Sequence, residues 1–320
     1  MTYSHSLCIC FIILLQCVPD TTPVKAQAER KAPLALLPPA TVPVEAPQSI
    51  PLASLPVSPV RPRIHAEVGR YRLRLAQGIE DRESACRLRF RVFNIELGEG
   101  LQSSYETGID SDHFDVFCEH LLVEDKAYGR VVGTYRMQSG TTAAMNLGYY
   151  SAQEFEFARY EPLRRDILEL GRASIDREHR TPEVLTLLWR GIAQYASDMG
   201  LRYLIGCSSL NSKDPAEGWR MYRELDRFRV SPEFETVSTA DYVCPIEQTG
   251  AGAQISSNPE SSSLQTKVPK LLKTYLTIGA RICAPPAWDR EFGTIDFLTL
   301  LDLKQLSSAA RNRFLAPLTP

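Results

Sequence analysis

ILELGRASIDREHRTPEVLTLLWRGIAQYASDMGLRYLIGC, residues 167–207, decides the fold. Residues 167–175 are apolar enough for a buried strand, yet carry Glu169 and Arg172. Thr181-Pro182-Glu183 is a helix start: threonine caps, and proline takes the first helical position, where its missing N–H costs nothing. Val184, Leu187, Leu188, Ile192 and Tyr195 keep the helical period, and Gly200 ends it. Residues 203–207 read as another buried strand. Strand, helix, strand predicts an α/β architecture.

Similar patterns extend outward. Residues 71–75 alternate as a strand. Residues 79–93 form a helix with acids in its first turn and arginines in its last, as the helix dipole prefers. Residues 94–119 are polar, contain Gly98, Gly100 and Gly108, and read as a long loop, a length that usually serves function. Residues 120–124 and 131–137 are strands joined near Gly129, residues 151–157 a short helix, 269–278 a helix and 294–300 a strand.

Composition divides the chain of 320 residues. Eleven of its 22 prolines lie between Pro19 and Pro62, and residues 31–63 lack glycine, aromatics and any period. Proline fixes φ and lacks a donor, so residues 29–69 read as an extended, disordered linker. Before it, residues 1–28 hold an apolar run of about a dozen residues, too short for a bilayer that takes roughly 20. It fits a secretion signal or anchor, or a start codon set too far upstream. The folded part then covers 70–320, interrupted by a flexible insertion near 247–266. Acids and bases, 38 against 36, nearly cancel, which argues against a nucleic-acid binder. Of eight cysteines, five lie outside the leader, scattered and without a CxxC pair, so neither a disulfide framework nor a zinc site is indicated. His113, His120 and His179 make no ligand spacing, and no metal is expected.

Four constellations could carry chemistry. They are residues 89–93 (RFRVF), 110–115 (DSDHFD), 133–136 (GTYR) and 169–172 (ELGR). Charges inside apolar strands need partners. Arg136, Glu169 and Arg172 therefore belong either to a buried ion-pair network or to a site.

The segments RFRVFNIELG, DSDHFDVFCEHLLV, GRVVGTYRM, YYSAQEFEF, LELGRASIDREHR and LLWRGIAQYASDMGLRYLIGCSSL, in that order, resemble the ornithine–acyl-carrier-protein N-acyltransferases, the hemolysin-like branch of the GNAT acyltransferases. The ending PPAWDREFGTIDFLTLLDL is similar too. The resemblance implies a mixed central sheet flanked by helices. It implies transfer of a fatty acyl group, 3-hydroxylated, from acyl carrier protein to the α-amine of an amino acid, with ornithine the acceptor and a lyso-ornithine lipid the product. The same positions also resemble acyl-homoserine lactone synthases, which would make S-adenosylmethionine the acceptor. A GNAT-shaped binding protein without turnover is the third reading.

Under the first reading Glu169 is the general base, and Arg172 and Arg136 orient carboxylates. Asp110, Asp112 and Asp115 bind the acceptor's cationic end or order the loop, and Arg91 and Phe93 are counted with them as acceptor-binding residues. No cofactor is expected, because the thioester is already activated. Residues 177–182 (REHRTP) lack the glycines of a pyrophosphate cradle, so Arg180 and Thr181 are expected to hold the single phosphodiester of a carrier arm. Residues 70–91 hold seven arginines against three acids. Arg87 and Arg89 would thus help dock the acidic carrier. Residues 267–281 carry four positive charges and no acid, and their apolar face rests either on the inner membrane or on the core. A cytoplasmic acyl donor points to a cytoplasmic catalytic part.

Overall fold

A computed structural model describes residues 61–246, 268–306 and 308–314. Its first element is an edge strand, β1 (His65–Val68), inside the stretch expected to be linker as far as residue 69. β1 pairs antiparallel with β2 (Tyr71–Leu75), setting His65 opposite Arg74 and Val68 opposite Tyr71. The domain boundary is corrected accordingly. No proline occurs between Pro62 and Pro162, so the backbone donors can join a ladder, and Ile64 and Ala66 bury their side chains. The expected leader, the remainder of the linker to residue 60 and the insertion at 247–266 lie outside the described residues.

α1 (Ile79–Phe90) carries Glu80 and Asp81 in its first turn and Arg87 and Arg89 in its last. It then widens into a π-helical segment, Arg91–Leu97, which ends at Gly98 in the left-handed conformation, φ 67°. The expected long loop is in fact a series of short turns: α2 (Ser104–Thr107), then a 3-10 turn at His113–Val116. Asp112 accepts the N–H of Phe114 while Asp115 accepts the N–H of Asp112, a reciprocal cap that fixes both carboxylates. β3 (Glu119–Asp125) and β4 (Arg130–Ser139) form the hairpin read from the sequence. α3 (Gly140–Met145) follows, and the helix expected over 151–157 is reduced to a 3-10 turn at Tyr150–Gln153, with a second 3-10 stretch at Ala158–Asp166.

β5 (Ile167–Ile175) leads to α4 (Pro182–Asp198), whose cap Thr181 accepts the N–H of Val184 at 3.3 Å. β6 (Tyr203–Leu210), α5 (Pro215–Glu224), α6 (Lys270–Ile278), β7 (Arg281–Ile282), β8 (Ala287–Asp289), β9 (Thr294–Asp302) and α7 (Ser308–Phe314) complete the order. The strands form one sheet, β1-β2-β3-β4-β5-β6-β9-β7, with β8 paired to β9. Only β5–β6 is parallel, so the sheet is mixed, as the resemblance implies.

Val184, Leu187, Leu188 and Ile192 of α4 pack on Leu73, Leu121, Val123 and Val132 of the sheet. Each such buried side chain contributes about 1.5–3 kcal/mol. In α6, Leu272 and Leu276 are buried, and the Tyr275 ring lies 5.5 Å from that of Trp189. The apolar face of this helix is thus used by the core. Among the described residues no helix is long and apolar enough to cross a membrane.

β5 is irregular in two places, and both lie beside the charged residues of the sheet. The parallel pairing with β6 covers only Ile167–Glu169 against Tyr203–Ile205, although both strands run on. Beyond it, residues 170–173 are half-exposed along an open fork. At the start of the fork Gly206 lies against the Leu170 carbonyl, where a Cβ would sit 2.2 Å from the oxygen. The second irregularity is a bulge. Thr134 faces Ser174 and Arg136 faces Gly171, so two residues, Arg172 and Ala173, oppose Tyr135 alone. Arg172 absorbs the extra residue with φ 51°, the one non-glycine in the left-handed region among the described residues.

Candidate active site

Arg136, Glu169 and Arg172 come together on β4 and β5, and a chain of ion pairs runs through the first two constellations to meet them. Arg89 Nε donates to Asp110 at 2.7 Å, and both terminal nitrogens of Arg89 donate to Asp115, at 2.6 and 3.0 Å. Arg136 Nη1 bridges Asp115 at 3.0 Å and Asp112 at 2.6 Å. Arg172 Nη2 reaches Asp112 at 3.3 Å. Three arginines balance three aspartates. Burial works against ionising Asp115, but Arg89 and Arg136 prevail and hold it well below the usual carboxylate range.

The chain has an inner and an outer end. The side chains of Arg89 and Asp110 are each 1% exposed, whereas those of Asp112 and Arg172 are 16% and 10% exposed. This corrects two expectations. Arg89 does not face an acyl carrier, because Asp110 and Asp115 take its guanidinium into the interior. Asp110 and Asp115 are committed to the protein's own arginines, which leaves Asp112 as the aspartate of the loop that reaches the open end. The basic docking stretch is also weaker than its sequence count. Asp125 pairs with Arg70, and Glu124 with Arg72 and Arg74, both acids coming from β3. Arg87 remains exposed, 3.4 Å from Glu83.

The other predicted residues lie away from this chain. Arg91 is exposed, 3.9 Å from Asp176. Phe93 packs against the cluster of Ala85, Leu88, Val92 and Leu122. Neither is brought into the ion-pair chain. Arg180 is engaged by Glu96 at 2.6 Å and by the Ile175 carbonyl at 3.1 Å, so a phosphodiester would have to displace Glu96. Thr181 serves as the cap of α4.

Glu169 is buried on β5. Its oxygens accept the N–H of Tyr150 at 2.9 Å, the N–H of Ser151 at 2.8 Å and Gln138 Nε2 at 3.0 Å. Burial raises its pKa, opposed by the Ser151 and Tyr150 donors, and the net direction is upward.

Sequence reasoning missed the aromatics of the site. The Tyr150 ring lies 5.0 Å from the guanidinium carbon of Arg136 and 5.2 Å from that of Arg172, and its hydroxyl accepts from Arg172 at 3.3 Å. Phe292 stacks on Arg172 from the opposite end of the chain, 4.3 Å away. Arg172 Nε, in contrast, has no hydrogen-bond partner among the described residues.

It missed a group of acids as well. Glu154, Asp289 and Asp296 are all buried, with one oxygen of each within 4.8 Å of the others. Burial, with Asp289 nearby, lifts Asp296 to about 6; burial and the neighbouring Asp296 lift Glu154 well above the usual glutamate value, and the two carboxyls hydrogen-bond to each other. Glu99 is also raised, to about 7, by burial and by Asp296. A metal search by histidine and cysteine spacing could not find such a set. A second group, Asp176, Glu178 and His179, has the same potential on paper. There, however, His179 already has Tyr71 Oη 3.1 Å from Nδ1 and Arg130 Nη2 3.1 Å from Nε2.

The acetyltransferase (GNAT) domain family matches residues 88–190, the stretch that holds the forked sheet's Arg136, Glu169 and Arg172. The chain is 30% identical over 275 residues to an L-ornithine N(alpha)-acyltransferase of Brucella abortus (strain 2308), covering 78% of this chain and 93% of that protein. It is 31% identical over 259 residues to the L-ornithine N(alpha)-acyltransferase of Rhizobium meliloti (strain 1021), covering 75% and 83%. Among solved structures, an N-acyl amino acid synthase from uncultured soil microbes superposes with a TM-score of 0.44 at 12% identity, over 77% of this chain and 95% of that one. The chain belongs to the L-ornithine N(alpha)-acyltransferase family.

Proposed function

We propose that the enzyme moves a 3-hydroxylated fatty acyl group from acyl carrier protein to the α-amine of L-ornithine, giving a lyso-ornithine lipid. The observation that carries this reading is Arg172. Its side chain is 10% exposed and turned by a bulge beside the open fork; besides the two stacked rings it makes two 3.3 Å contacts at Nη2, and its Nε is unpartnered among the described residues. A planar guanidinium with donors to spare suits the acceptor's carboxylate. The names of the relatives supply the acceptor.

The remaining chemistry follows from the thioester. Glu169, on the same strand as Arg172, takes a proton from the α-ammonium directly or through one water. The freed amine attacks the carbonyl carbon, the C–N bond forms, the C–S bond breaks, and the carrier's thiolate leaves and is protonated. No metal or cofactor is needed. The unpaired edges of the β5–β6 fork suit an extended carrier arm, which could add backbone hydrogen bonds as a strand does. Arg180 and Thr181 lie just beyond β5, and Arg87 is left for the acidic carrier. A cytoplasmic donor and a lipid product place the catalysis at the inner face of the membrane.

The test is an acyl-transfer assay. The full chain is incubated with 3-hydroxyacyl carrier protein, a panel of amino acids and S-adenosylmethionine, and products are read by mass. N-acylornithine is expected. An acylated lactone from S-adenosylmethionine would replace the acceptor, and carrier binding without any product would leave a non-catalytic protein.

A further inference from the structure

We propose that Tyr150 is a positioning residue that makes the transfer select the α-amine of the acceptor, by holding Glu169 through its main chain and Arg172 through its side chain. This rests on the proposed function, in which Glu169 is the base and Arg172 takes the acceptor's carboxylate.

Ornithine carries two primary amines, and a base acting alone has no means of telling them apart. The α-amine differs in sharing its carbon with the carboxylate. An arginine that grips the carboxylate at a fixed distance from the base therefore presents the α-amine and keeps the side-chain amine away. The selection is only as sharp as that distance is fixed.

β5 does not fix it alone. Glu169 and Arg172 are three residues apart, and on a regular strand such residues point to opposite faces. The bulge re-aims Arg172 and leaves it with φ 51°. Tyr150 spans the two groups. Its N–H donates to Glu169 Oε2 at 2.9 Å, and its hydroxyl accepts from Arg172 Nη2 at 3.3 Å.

Tyr150 is itself braced on both sides. The Gly148 carbonyl, two residues before it, accepts from Gln138 Nε2 at 2.9 Å, and the same nitrogen donates to Glu169. Tyr149 is buried, with its ring 4.9 Å from that of Phe157. The Tyr150 ring meets Phe114 edge to face at 5.3 Å and lies beside the guanidiniums of both Arg136 and Arg172. Phe114 belongs to the 3-10 turn capped by Asp112, whose carboxylate also binds Arg172. The ring is thus located by the same residues that locate the arginine.

The experiment assays wild type, Tyr150→Phe and Tyr150→Ala as full chains with 3-hydroxyacyl carrier protein and L-ornithine. Both variants keep the main-chain donor to Glu169. KM for ornithine and kcat are measured, and tandem mass spectrometry separates Nα- from Nδ-acylornithine. KM should rise about three- to tenfold in Tyr150→Phe, the range for one hydrogen bond, and about ten- to a hundredfold in Tyr150→Ala, which loses the ring contacts as well. In each variant the fall in kcat should be smaller than the rise in KM. The Nδ share of the product should rise with KM, most in Tyr150→Ala. A fall in kcat alone, with KM and the product ratio unchanged, would show a structural role and overturn the proposal. So would a product that stays wholly Nα while KM rises. Should the alanine variant not fold, Tyr150→Phe decides on the same readouts. A wild type that makes no N-acylornithine removes the proposed function and this proposal with it, whereas one that makes it while both variants match it removes this proposal alone.

Discussion

The guanidinium carbon of Arg172 lies 4.3 Å from the centre of the Phe292 ring. This cation–π contact, worth about 0.5–2 kcal/mol, joins the bulge of β5 to the turn after β8. It holds in place a residue whose backbone pays for its position with φ 51°.

Arg172→Gly therefore separates stability from function. Glycine adopts that φ freely, a gain of about 1 kcal/mol that offsets the lost stacking. The melting temperature should stay within a few degrees of wild type, while kcat/KM falls about a hundredfold for want of the carboxylate contact. Arg172→Lys should recover little, having no planar fork. A glycine variant with wild-type turnover would remove Arg172 from the site.

Glu169→Gln should lower turnover by roughly 10²–10⁴ if the carboxylate is the base. The acidic limb of the pH–rate profile should vanish with it, and in wild type that limb should sit above the ordinary glutamate value, because burial outweighs the Tyr150 and Ser151 donors. An unchanged profile would make Glu169 an anchor for the turn at residue 150 and nothing more.

Arg89→Met leaves Asp110 and Asp115 buried without their main partner. Breaking such a pair costs about 3–5 kcal/mol, to be read by urea unfolding. Arg87→Ala, on the same helix but exposed, should change stability by no more than about 0.5 kcal/mol. Similar effects from the two would mean that Arg89 is not a keystone of the interior.

Asp296 gives stability a distinct pH dependence. Its folded value is about 6 against an ordinary 3.8, so between these pH values the folded protein keeps a proton that the unfolded chain has released. Stability falls as pH rises through that window, and the penalty is complete above it. Asp296→Asn escapes it and should gain on wild type from pH 4 to pH 7, toward an upper limit on the order of 3 kcal/mol. His120 works in the opposite direction. Burial lowers it to about 4 from 6.5, so the unfolded chain binds its proton first and stability is lost as pH falls through that range. Both proteins share this loss, and it cancels in the difference. Denaturant titrations at each pH giving a constant difference would refute the assignment.

Local signals made much of the fold legible. Thr181-Pro182 and the period from Val184 to Tyr195 specify α4 within the chain itself, and charge in apolar strands singled out Arg136, Glu169 and Arg172. What escaped depends on long-range partners. Arg89 looks like any surface arginine until Asp110 and Asp115, 21 and 26 residues away, close on it. β1 is four residues long and gains its meaning from pairing with β2. Glu154 and Asp296 are far apart in sequence, and no spacing rule joins them. Tyr150 and Phe292 stood in quoted segments, but nothing local aims either ring at Arg172.

Gly206 fixes the floor of the fork. With Leu170's carbonyl where its Cβ would be, the two backbones meet with no side chain between them. Any other residue there would act as a wedge. It would spread both walls at once, moving Glu169 on β5 relative to Asp296, which hangs from β6 through its pairing with Ser209. Glu169 and Asp296 thus share one pivot. Room for a longer acyl chain or a bulkier acceptor can be made only by trimming the walls, because widening at the pivot would pull the two apart.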